Sequence, residues 1–155
     1  MKLYYAIYKN ANPRDLLKIA VPNPPEILRG EHGKPYFKDS DIFFNCSHCK
    51  FGAACIVADC EVGVDIQEIR KVKPAVIKRV CTDSEIESIK TDEDFIRIWT
   101  MKEAYSKYTG NGFAEGFSTI DTTGWTNFVK IGNCYISWYS FIGEEPQLVE
   151  VSLPL

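Results

Sequence analysis

One segment of the chain, Asp92 to Gly110, repeats apolar residues at helical spacing over several turns, and turn residues cut the sequence around it into short pieces. Phe95, Ile98, Trp99, Ala104, Tyr105 and Tyr108 return on one side of this segment, Asp92 or Asp94 is placed to cap its start, and Gly110 is placed to close its end. A helix of this kind must bury its apolar face, and the aromatic and β-branched runs elsewhere supply sheets for it to rest on. Leu3–Tyr8, Ile42–Ser47, Ala53–Ala58 and Val62–Ile66 read as strands, the last with Asp65 near its end. Asn12 and Pro13 open a short helix from Arg14 to Ala20. Lys73-Pro74 starts another to about Cys81, and Thr82-Asp83-Ser84-Glu85 is a capping box launching a third to Lys90. From Phe117 the chain reads as strand and turn, with strands at about 117–121, 127–131, 134–142 and 147–152. The expected fold class is α+β, a single compact unit over residues 1–155 with a faint duplication about residue 61.

Composition excludes several classes. With 45% hydrophobic and 13% aromatic residues the chain holds too much apolar surface to stay disordered. Its longest uncharged runs, such as Ile42–Cys49 and Phe51–Ala58, fall short of the roughly 20 residues that span a bilayer. The first nine residues lack the pattern of a secretory signal, so a cytoplasmic location and no membrane partner are expected. A net charge of -3 argues against nucleic acid as a partner. The charge is uneven: seventeen of the eighteen lysines and arginines lie in residues 1–110, five of them as Arg70, Lys71, Lys73, Lys78 and Arg79. A local basic surface on an acidic protein suits an anionic small molecule or an acidic protein partner, although a run of this kind is also an ordinary solvated helix face.

Cys46, Cys49, Cys55 and Cys60 fall close together, with His48 inside Cys46-Ser47-His48-Cys49. They could form a zinc or redox module, but the spacing is poor for zinc and no second C-x-x-C pair is present, so small buried residues on strands are the favoured reading. Taken singly, the other candidates are equally open. Asp65 can be a turn residue or a ligand, though Gly63 before it marks a close backbone or ligand approach. Glu103 and Lys107, four apart on a helix, can be a surface ion pair.

Their order adds information. Gly33-Lys34-Pro35, then Phe44-Asn45-Cys46-Ser47-His48, then Val62-Gly63-Val64-Asp65-Ile66, then Trp99-Thr100-Met101-Lys102-Glu103-Ala104-Tyr105-Ser106-Lys107 resembles the phosphopantetheinyl transferases. The last two elements match that family's G-x-D and W-x-x-K-E-x-x-x-K, with Asp65 and Glu103 thirty-eight residues apart and Gly110-Asn111-Gly112-Phe113 following. The Ser-His element and the G-x-D element in one chain resemble the Sfp-type class. That class implies a monomeric pseudo-dimer of two unequal α+β halves, here about 1–61 and 62–155, with the active site between them.

The resemblance implies transfer of 4'-phosphopantetheine from coenzyme A to a serine of an apo acyl or peptidyl carrier protein, with Mg²⁺ as cofactor. It places the metal on Asp65 and Glu103, with Gln67 as a weak or water-mediated ligand where many members carry a second acid. Glu103, or a water it holds, is implied as the base, and Lys107 as the group facing charge on the leaving nucleotide. Lys34 and Pro35 are implied to line the adenine side, Ser47, His48, Lys102 and Lys107 to contact phosphates, and Arg14 to supply a further phosphate contact. The run Arg70, Lys71, Lys73, Lys78 and Arg79 is implied as the carrier-docking face. The stretch before Gly33 is short beside longer members, which implies a reduced clamp on the 3'-phosphate. A non-catalytic relative that binds coenzyme A or a carrier protein without transfer is the alternative.

Overall fold

The computed structural model describes residues 1–112 and 116–152, so Phe113 of the glycine-rich turn lies outside the described residues. Strand β1 (Lys2–Ala6) is followed by helix α1 (Pro13–Ala20), a small hairpin of β2 (Ile27–Arg29) and β3 (Pro35–Phe37), and then β4 (Phe43–Cys49), β5 (Gly52–Ala58) and β6 (Val62–Glu68). Three helices come next: α2 (Pro74–Val80), α3 (Asp83–Ser88) and the long α4 (Asp92–Thr109). Strands β7 (Phe128–Ile131), β8 (Cys134–Ser140) and β9 (Gln147–Glu150) complete the described elements.

The strands form two main sheets, one in the order β4-β5-β1-β9 and the other in the order β6-β8-β7. β1 runs antiparallel to β5, with Leu3 opposite Ile56, and parallel to β9, with Lys2 opposite Gln147. The proposed division near residue 61 is therefore crossed by β9, which belongs to the N-terminal sheet. Strand alternation sorts the side chains into separate cores. Leu3, Ala54 and Ile56 from the first sheet meet Val62, Val64, Ile66 and Ile136 from the second. On the other side of β5, Ala53 and Cys55 join Leu16 and Leu17 of α1. β5 is thus apolar on both faces, which accounts for its unbroken run Gly-Ala-Ala-Cys-Ile-Val-Ala.

The opposite face of β6 presents Gly63, Asp65 and Gln67, and α4 lies across it. The approach is close: a Cβ on Gly63 would sit 2.1 Å from the Ala104 carbonyl oxygen and 2.4 Å from the Tyr108 nitrogen. The glycine of the G-x-D element is there because helix backbone occupies the volume of its side chain.

α4 starts one residue earlier than expected. Thr91 is the N-cap, and Asp94 completes a capping box with it as the third helical residue, so neither Asp92 nor Asp94 is the cap. Gly110 closes the helix in the left-handed conformation, with φ of 72°. The segment expected as a strand at 117–121 is instead a short 3-10 turn, Phe117–Thr119. Part of what holds it is Lys102. That side chain is 0% exposed, and its ammonium donates to the carbonyls of Val80, Phe117 and Ile120 at 2.6–2.9 Å while pairing with Glu85 at 2.7 Å. Curling the 117–120 backbone brings those carbonyls onto the charge. Glu85 is equally buried and also accepts from the Thr122 nitrogen, the Thr122 hydroxyl and the Thr82 nitrogen.

Gly63→Ala is expected to destabilise the protein by at least about 3 kcal/mol, because two backbones and not a flexible side chain must move; a urea midpoint unchanged from wild type would contradict the close approach. Lys102→Met leaves Glu85 buried without its countercharge and is expected to cost about 3–5 kcal/mol. Adding Glu85→Gln should recover part of that loss in the same denaturation measurement.

Candidate active site

β6 is an edge strand of its sheet, so its outer backbone groups have no ladder partner there. Side chains of β4 fill the gap. The Asn45 amide oxygen accepts from the Val64 nitrogen at 2.9 Å, and the Ser47 hydroxyl accepts from the Ile66 nitrogen at 3.4 Å. Two residues of β4 with the strand period thus hold two residues of β6 on either side of Asp65.

Asp65 is 2% exposed, and three side chains hold its carboxylate. Its Oδ1 accepts from the Ser47 hydroxyl and from Lys107 Nζ, each at 2.7 Å, and its Oδ2 accepts from the Gln67 amide nitrogen at 2.9 Å. Lys107 also donates to Ser47 at 2.8 Å, closing a triangle of Ser47, Asp65 and Lys107. Lys107 of α4 is therefore paired across to β6 and not along the helix with Glu103. Glu103, half-buried on the same helix, is pushed up to about 7, first by burial and then by the negative charge of Asp65, with Lys107 opposing. Glu103 and Lys107 line a cleft of about 300 Å³ together with Lys34, Pro35, Asn45 and Ser106. A second cavity, of about 710 Å³, opens at the start of α1 and is lined by Arg14, His48, Cys49 and Lys50.

The donor set fits a small hard cation. Asp65 and Glu103 come to one site with a single ammonium, that of Lys107 on Asp65, and Glu103 is raised first by burial and then by the charge of Asp65. Magnesium takes one or two carboxylates and completes its shell with phosphate and water oxygens. Gln67 gives its nitrogen to Asp65, and its oxygen accepts from Arg70 at 3.3 Å, so in this arrangement it orients the aspartate. Among the described residues no group of three His, Cys, Asp or Glu side chains converges.

The structure brings Asp65, Gln67, Glu103 and Lys107 to one place, sets Lys34 and Pro35 on the wall of that cleft, and gathers Arg14 and His48 at the other cavity. Lys34 is tethered there, donating to Glu61, to the Val62 carbonyl and to the Tyr108 carbonyl. Two expectations are corrected. Lys102 is no phosphate contact, since its ammonium is wholly buried on Glu85 and three carbonyls. Ser47 does not join His48 at phosphates: consecutive residues of a strand face opposite ways, and Ser47 is buried on Asp65 while His48 is exposed at the second cavity. Asn45 and Glu85 went without a role in the sequence. The signal for Asn45 was its two-residue spacing from Ser47, and that for Glu85 was a capping box, which uses only part of its carboxylate.

Arg70, Lys71 and Lys73 rim a cavity floored by Phe95 and Trp99, and Lys78 and Arg79 are exposed on α2. The cysteines of the Cys46–Cys60 cluster do not gather at one point. Cys46 and Cys49, three apart on one strand, point to opposite faces, and all six cysteines are free thiols.

The model of the 4'-phosphopantetheinyl transferase superfamily matches residues 61–139, the stretch that carries Gly63, Asp65, Glu103 and Lys107. The chain is 33% identical over 96 residues to 4'-phosphopantetheinyl transferase psf-1 of Bacillus pumilus, covering 57% of this chain and 41% of that protein. It is 32% identical over 133 residues to 4'-phosphopantetheinyl transferase AcpT of Escherichia coli (strain K12), covering 79% of this chain and 67% of that protein. It is 34% identical over 96 residues to 4'-phosphopantetheinyl transferase HetI of Nostoc sp. (strain PCC 7120), covering 54% and 40%. The matched stretch thus spans about two fifths of psf-1 and HetI and two thirds of AcpT. On the family match and the AcpT likeness together, the chain belongs to the 4'-phosphopantetheinyl transferase superfamily.

Proposed function

We propose that this protein transfers 4'-phosphopantetheine from coenzyme A to a serine of an apo acyl or peptidyl carrier protein and releases 3',5'-ADP. The observation that carries the proposal is the meeting of Asp65 and Glu103, from β6 and α4, around the ammonium of Lys107. Asp65 and Glu103 would hold Mg²⁺, which when bound neutralises the pyrophosphate of coenzyme A. Glu103, or a water it holds, accepts the proton of the attacking serine hydroxyl. Lys107 keeps Asp65 in place and puts a fixed positive charge beside the oxygens that become negative as the nucleotide leaves. Ser47 and Gln67 act on the aspartate, the first as a donor behind it and the second as a donor beside it.

Arg14 and His48 are proposed to meet phosphates of the nucleotide, and Lys34 and Pro35 to border its adenine. The exposed bases of α2 and the segment before it are proposed as the docking face for an acidic carrier. The monomeric pseudo-dimer, with its site between the two sheets, belongs to the same proposal. Of the membrane, the structure says only that no helix among the described residues is long and apolar enough to cross one.

The reaction is tested by incubating the protein with coenzyme A, Mg²⁺ and an apo carrier protein and following the carrier's mass. A gain of one phosphopantetheine is expected with wild type, and a loss of at least about 100-fold in rate with Glu103→Gln. Coenzyme A binding without a mass gain on any carrier would favour a non-catalytic relative. A second measurement follows from the raised carboxyl of Glu103. A folded state that holds this proton more tightly than the unfolded chain is favoured at low pH, and the advantage fades as pH rises through about 7. In metal-free buffer, Glu103→Gln should therefore match wild type near pH 5 and exceed it by about 1–2 kcal/mol near pH 8, in urea titrations at both pH values. Parallel pH profiles for the two proteins would contradict the burial of an ionisable carboxyl.

A further inference from the structure

Two cysteines outside the carboxylate site face each other across the two sheets. Cys49 ends β4 and Cys134 begins β8, eighty-five residues apart in sequence, with their sulfurs 4.0 Å apart. Cys134 is 1% exposed, packed among the side chains between the sheets, while Cys49 is partly exposed and lines the cavity at the start of α1. The other walls of that cavity include Arg14, Lys50 and His48, and none of the cavity's lining residues is acidic. A partly exposed thiol in contact with a buried one, on the inner side of β4, has the layout of an attacking and a resolving cysteine.

We propose that Cys49 and Cys134 form a reversible dithiol–disulfide pair that is oxidised by a low-molecular-weight disulfide reaching Cys49. The thiolate of Cys49 attacks one sulfur of that disulfide, forming a mixed disulfide and expelling one thiolate. Cys134 then gives up its proton, which the expelled thiolate takes, and attacks Cys49 Sγ. A Cys49–Cys134 bond forms and the second small thiol leaves as its thiolate, protonated from solvent. Two protein thiols are oxidised and one small disulfide is reduced to two thiols, so the step balances. The thiol of Cys49 is drawn down to about 7, chiefly by its hydrogen bond with Cys134, which favours it as the attacking member. Closing the pair asks each sulfur to move about 1 Å, since a disulfide bond is about 2 Å long. The bond would tie β4 to β8 beside Glu68, which stands opposite Cys134. The C-x-x-C spacing of Cys46 and Cys49 plays no part. The partner of Cys49 comes from the other sheet.

The bond chemistry is independent of the transferase proposal, and its test does not measure transfer. The reduced full-length protein is exposed to glutathione disulfide, to coenzyme A disulfide and, as a neutral control, to bis(2-hydroxyethyl) disulfide, then alkylated and mapped by mass spectrometry without reduction. Expected is one linked peptide pair, Cys49 to Cys134, with each of the three disulfides. Cys134→Ala should halt at a mixed disulfide on Cys49, and Cys49→Ala should leave Cys134 unmodified. Should Cys134→Ala fail to fold, Cys134→Ser or the wild-type map alone decides. A dominant Cys46–Cys55 link, oxidation of Cys134 in Cys49→Ala, or thiolation spread evenly over the cysteines would overturn the pair.

Discussion

The backbone of α4 rests on the backbone of β6 at Gly63, and the candidate site depends on that contact. With any larger residue the helix stands off, and the reach of Glu103 and Lys107 toward Asp65 lengthens by the width of a side chain. The same contact accounts for the electrostatics. Bringing a helix this close buries Glu103, which raises it, and sets the ammonium of Lys107 on Asp65. The glycine, the aspartate two residues on and the glutamate of the helix therefore act as one geometric unit, although thirty-eight residues separate the two acids.

A second ion pair supports the first from behind. Lys102 and Lys107 lie on one helix, yet one is sealed in the interior and the other stands at the cleft. Lys102 fixes the C-terminal end of α2, the start of α3 and the turn after residue 116 to the helix through one ammonium. A buried charge of this kind is weak as a source of stability but exacting about geometry, because each of its partners must be in place for it to be tolerated. The helix that carries Glu103 is thus located by polar contacts on one side and by the Gly63 strand on the other.

Much of this was legible in the sequence, and the misses have physical causes. Asp65, Glu103 and Lys107 were legible through the order of the G-x-D and W-x-x-K-E-x-x-x-K elements and the family they resemble, since taken singly each has an ordinary structural reading. Lys102 was misplaced although the helical period held the answer: Phe95, Ile98, Trp99 and Lys102 follow the i, i+3, i+4, i+7 pattern of a buried stripe, and a charge in that stripe needs a buried partner. Glu85, seventeen residues earlier, could not be matched to it by spacing, since two helices and a loop set their meeting. Ser47 and His48 were grouped because they are neighbours in sequence, whereas strand alternation separates them. The turn at Phe117–Thr119 escaped because part of what holds it is a lysine fifteen residues away.

The parallel pairing of β1 with β9 also bears on how the molecule is assembled. Lys2 leaves the ribosome first of the paired residues and waits for Gln147, while β4, β5 and β1 can already associate. Until β9 arrives, the outer edge of β1 offers unpaired amides and carbonyls to any passing strand, and closing so long a loop is slow. The outer edge of β1 is thus covered last in chain order, after every strand and helix that carries the candidate site.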